Sequence, residues 1–152
     1  MERRFPERRQ ALLLWAALSA FSFLLLATVL SSQGPTDPEM AGLLVPLVAL
    51  TMVVELAASV LVPASIARRA AKAPEAWPPG RLAWTRSVIA MALCFGAALF
   101  AISAYQATHA EILIFASGIG LLALLGQFPS EVRWAKLRQP VTPGAEGSKK
   151  RR

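Results

Sequence analysis

One carboxylate, Glu55, interrupts an apolar run that extends from 41 to 67. A charge at the centre of a lipid bilayer costs several kcal/mol, about 2.5 by the lowest scales. Three kinds of chemistry suit such a residue. It can be a neutral acid bonded to a hydroxyl or carbonyl of a neighbouring helix. It can be a proton or cation site, or it can meet a second subunit. Helical spacing sets Thr51 and Ser59 one turn before and after Glu55, with Met52 and Ala58 on the same side. This face is expected to turn inward, with Glu55, Thr51 and Ser59 as the candidate proton, ion or helix-contact site. No lysine or arginine lies inside the other apolar runs to pair with Glu55, and Arg86 only borders one of them.

Other reactive residue types are sparse. Cys94 is the single cysteine and His109 the single histidine, so neither an intramolecular disulfide nor a Cys/His metal cluster can be assembled. The chain contains no HExxH, no GxSxG and no phosphate-binding glycine loop. Catalysis is therefore not expected, nor is a cofactor or a bound metal. Cys94, with no base nearby in sequence, reads as a small packing residue.

The elements that must position Glu55 follow from composition. Of 152 residues, 55% are hydrophobic and 16% charged. A soluble domain carries about 25% charge, so there is too little polar surface to coat a water-soluble globule. Four apolar segments, at 11–30, 41–67, 87–105 and 112–128, contain no charge apart from Glu55. A spanning helix needs about 20 apolar residues for a core about 30 Å thick. The segments are long and do not alternate polar with apolar, which favours helices over barrel strands. Turn signals separate them. Residues 31–38 hold Gly34, Pro35 and Pro38, residues 73–80 hold Pro74, Pro78, Pro79 and Gly80, and 107–110 is a tight third connection. The expected fold is an all-α, integral membrane, antiparallel bundle of four transmembrane helices. The first segment is longer than the apolar stretch of a cleaved signal peptide, typically 7–15 residues, and is expected to stay as a span.

Charge predicts orientation. All 16 lysines and arginines lie before the first segment, between the second and third, or after the fourth. The two remaining loops hold only Asp37, Glu39 and Glu111. Basic residues beside short loops stay cytoplasmic, so both termini and the middle loop are expected inside. Trp15, Trp77, Trp84 and Trp134 lie near the same ends, where indoles anchor at the lipid interface. The net charge of +7 is thereby spread over membrane flanks, which suits anionic lipid at the cytoplasmic face and not nucleic acid. The Ala/Arg/Leu-rich composition suggests a bacterial cytoplasmic membrane.

Lipid is as apolar as leucine, so helices associate through small residues that allow close approach. Ala90, Cys94 and Ala97 on the third segment, and Ala116, Gly120 and Ala123 on the fourth, form an expected packing seam; the first segment offers Ala16 and Ala20. Pro46 is expected to kink the second helix. Residues 129–138 read as a short interfacial helix, capped by Ser130, with Val132, Trp134 and Leu137 apolar. The 1–10 segment is a basic cytoplasmic start and 139–152 a disordered basic tail. The order basic start, helix, acidic loop, helix, proline, basic end occurs twice, a pattern that suggests a duplicated hairpin. Taken together, these features predict a non-enzymatic structural or accessory membrane protein, packed with itself or with a larger complex. The alternative is a proton- or cation-coupled transport component centred on Glu55, and a membrane enzyme comes third.

Overall fold

The computed structural model describes residues 6–32, 34–73 and 77–139. The expected disordered tail lies, but for Gln139, outside the described residues, as do Arg3 and Arg4. Among the described residues five helices follow in order: α1 (Pro6–Ser31), α2 (Pro38–Lys72), α3 (Pro79–Thr108), α4 (Ile112–Gly126) and α5 (Glu131–Leu137). Helices α1, α2 and α3 are each long and apolar enough to cross a membrane; α4 and α5, bent by 80° where they meet, make up a fourth candidate span. The molecule is an all-α bundle of multi-pass membrane type.

The turn signals act as local chemistry requires. Asp37 caps α2 by accepting hydrogen bonds from the backbone N–H groups of Glu39 and Met40, and Pro38 fills the first helical position, where no N–H is needed. Pro79 opens α3 in the same way. At the other end of α3, His109 takes a left-handed conformation (φ 49°) and its N–H closes on the Tyr105 carbonyl. A non-glycine residue at that φ is uncommon; Thr108 helps hold the turn by accepting from Ala110 N–H while donating to the Ala104 carbonyl. Helix α2 continues unbroken through Pro46 and Pro63.

Helix α3 is the centre of the bundle. It packs against α1, α2, α4 and α5, whereas α1 and α2 flank the α3–α4 pair and share no extended interface. The two sequence halves are thus packed differently: α3 lies against α4, but α1 does not lie against α2. Short loops made α1 and α2 antiparallel without making them neighbours. Half of the apolar window of α3 is buried, against 17% for α1 and for α2.

The core divides into two apolar clusters along the bundle. One gathers Val48, Met52, Ala97, Ala101, Ala104, Ala110 and Leu113 near the α3–α4 turn. The other gathers Ala11, Ala83, Met91, Cys94, Leu124 and Trp134 toward the opposite end. At the first, acidic end the two loops are tied by Asp37 N–H to the Thr108 carbonyl (3.1 Å) and by the Thr36 hydroxyl to the His109 carbonyl (3.3 Å). At the second, basic end Arg8 reaches Glu131 (2.8 Å) and Arg86 donates to the Leu137 carbonyl (2.8 Å).

Candidate functional site: a polar seam within the bundle

Glu55 stands midway along α2, half-buried. Its side chain lies over Gly96 of α3; a Cβ at that position would come within 3.1 Å of Glu55 Oε1. The glycine makes the room that lets a carboxyl enter the α2–α3 interface. Glu55 Oε2 is buried and has no hydrogen-bond partner among the described residues. A buried polar atom left so costs free energy on the scale of a lost hydrogen bond, about 1–3 kcal/mol, and in natural proteins such an atom calls for an explanation.

Ser59, one turn further along α2, is buried and donates to the Leu56 carbonyl (2.7 Å). Cys94 of α3 lies near both Ser59 and Glu55. Thr51 is half-buried on the other side of Glu55. The structure therefore gathers Glu55, Ser59 and Cys94, and adds residues from further along the chain. Gln127, just past α4, donates from Nε2 to Cys94 Sγ (3.6 Å). Arg133 of α5 donates to the Gln127 side-chain oxygen and to the Gly126 carbonyl.

The length of α4 explains this arrangement. Its 15 residues span about 22 Å at 1.5 Å each, short of a hydrocarbon core of about 30 Å. The last carbonyls of a helix have no partner within it, and in lipid they must be satisfied by protein groups. Trp15 Nε1 donates to the Leu124 carbonyl (3.1 Å), Arg133 to that of Gly126, and Arg8 to that of Pro129 just beyond (3.2 Å). Two of these donors are cationic, which suits the negative end of the helix dipole. Ser130 caps α5 by accepting from Arg133 N–H (3.2 Å) and so sets the arginine in place. Replacing Arg133 by alanine strands the Gly126 carbonyl and frees Gln127. The expected result is a loss of about 1–3 kcal/mol, seen as a lower melting temperature in detergent, with Arg133→Lys retaining part of it. An unchanged melting temperature in the alanine variant would remove the capping role.

The other residues singled out in the sequence are placed as follows. Ala90, Cys94 and Ala97 are buried on α3. Gly120 of α4 sits against Ala98, where a Cβ would meet the Ala98 Cα at 2.7 Å. Ala116 packs beside the acidic-end cluster and Ala123 beside the basic-end one. Ala16 and Ala20, by contrast, are exposed on the outer side of α1. Trp84 is half-buried at the edge of the basic-end cluster. Trp77 carries the Arg81 guanidinium over its ring at 5.9 Å. Trp15 is hydrogen-bonded to α4 and meets the Phe128 ring edge-on at 5.0 Å. Trp134 departs from the anchor expectation: it is 3% exposed and lies in the basic-end core. The turn between α4 and α5 directs its ring under α4 instead of toward lipid, and Val132, 69% exposed, takes the outer side.

Gly96, Gln127 and the inward course of Arg133 were missed by the sequence reading. A glycine inside a long apolar helix and an unusually short fourth segment were the signals that could have found them. Among the described residues no group of three or more His, Cys, Asp or Glu side chains could hold a metal ion. Comparison with known protein families, with curated proteins and with solved structures finds no match for the chain.

Proposed function

We propose that this is a non-enzymatic multi-pass protein of a bacterial cytoplasmic membrane. In this reading it acts by helix association, with itself or within a larger membrane complex. One observation carries the reading: the small-residue stripe Ala16, Ala20 and Ala27 faces outward on α1. Small residues let helix backbones approach closely in lipid, and here the bundle's own helices do not use them. The glycines Gly42 and Gly118 likewise have open space in front of them. Paired substitution Ala16→Ile with Ala20→Ile tests the idea. The expected result is a bundle that melts as before but runs as a smaller species in mild detergent. Unchanged particle size in the double variant would count against α1 as the association face.

The orientation supported by the charge partition puts the basic end in the cytoplasm, with anionic lipid around it. A thiol probe tests it cleanly because native Cys94 is buried. A cysteine at exposed Thr36 is expected to react with an impermeant reagent added to intact cells, and one at exposed Ala73 is expected to be spared. Labelling of the Ala73 variant and protection of the Thr36 variant would invert the topology.

A further inference from the structure

Thr51 flanks Glu55 toward the acidic end; the other polar groups near its partnerless oxygen lie toward the basic end. The groups that face it can be followed helix by helix. Its own helix supplies Ser59, α3 supplies the Cys94 thiol, the end of α4 supplies the Gln127 amide, and α5 supplies the charged Arg133 behind that amide. Helix α1 carries no charge within 11–30. These groups form a seam from the carboxyl to the basic end. In the other direction, beyond Thr51, the α2–α3–α4 interface closes over Val48, Ala101 and Leu113, all at most 1% exposed. Hydroxyls further along are engaged by their own helices: Ser117 donates to the Leu113 carbonyl and Thr108 to that of Ala104.

We propose that Glu55 is a proton-binding site served from the basic, cytoplasmic end alone, through the Gln127–Cys94–Ser59 seam, and that the path ends there. The step is simple: a proton from cytoplasmic water adds to the Glu55 carboxylate to give the neutral acid, and leaves by the same route. Arg133 stands at the mouth, held by the Gln127 side chain and the Gly126 carbonyl. The fixed positive charge of Arg133 repels the hydrated proton as it repels any cation, so exchange with Glu55 is expected to be slow. Gln127 can reach the seam only because α4 stops short and α5 turns away. Such a blind site responds to cytoplasmic pH and does not conduct protons across the bilayer.

The test uses the full chain reconstituted in liposomes of known protein orientation. The carboxylic acid C=O band in difference infrared spectra is assigned to Glu55 by its loss in Glu55→Gln. The pH is then stepped on one side with the other held constant. The band is expected to follow the basic-end side and to ignore the acidic-end side. Gln127→Leu is expected to slow the response roughly tenfold, equal to ~1.4 kcal/mol in the barrier. Cys94→Val should slow it as well, while Cys94→Ser keeps the wild-type rate, so the result does not rest on one variant folding. A band that follows the acidic-end pH, or both sides, overturns the proposal. So does a band that never titrates, or an unchanged rate when Gln127 and Cys94 are each made apolar.

Discussion

Gly120→Leu is expected to break the α3–α4 contact and to abolish most folded protein. Even a single Cβ at position 120 would lie 2.7 Å from the Ala98 Cα and 2.8 Å from its backbone nitrogen. Backbone atoms in the central helix cannot yield as the tip of a side chain can. Overpacking a core costs typically 1–3 kcal/mol, and a leucine here, whose first carbon already collides, is expected at or above about 3. Gly120→Ala should fall between leucine and wild type. Leu122, two residues away and 69% exposed, is the control. Its replacement by alanine is expected to shift stability by about 0.5 kcal/mol or less. Thermal unfolding in one detergent measures all three. Equal shifts for Gly120→Leu and Leu122→Ala would mean that the helices do not meet at Gly120.

Glu55→Lys is expected to prevent assembly, whereas Glu55→Gln inserts and assembles nearly as the wild type does. Glutamine keeps the size that fits over Gly96 and offers an amide in place of the acid. Lysine brings a positive charge to the middle of α2, costing about 2.5–3.5 kcal/mol by insertion scales. No other carboxylate lies within the four apolar segments to receive it, and the charged group along the seam, Arg133, has the same sign. Expression level and particle size, read together for the three forms, are the measurement. Wild-type assembly of the lysine variant would place position 55 at water or headgroups and would remove the mid-membrane site.

These residues also show what a sequence of this kind conveys. The spans, their order and their segregated charge were legible because lipid enforces length and hydrophobicity at every position. The inward turn of Ser59 was legible from its one-turn spacing with Glu55. The rotation of α1 was not. Helix α1 is apolar almost all round, and its inward face is marked only by Ser19 and Ser22, both buried. Ala16 and Ala20 could therefore be read as an internal seam, although the structure turns them outward. The pairing of Glu55 with Gly96 joins residues distant in sequence and depends on the register of α2 against α3. Trp134 was misjudged for a related reason. An amphipathic segment announces that it has an apolar side, but only the 80° turn after α4 determines whether that side meets lipid or protein.

The association reading is tested most directly by the mass of the particle as it exists in the membrane. Patches of native membrane can be excised into polymer-bounded discs without detergent and examined by native mass spectrometry. The expected species is heavier than one 16.3 kDa chain, either a whole-number multiple of that mass or a stoichiometric assembly with another membrane protein. Ala16→Ile with Ala20→Ile is expected to lower that mass. A single chain of 16.3 kDa, alone in its disc at native expression level in both forms, would contradict it.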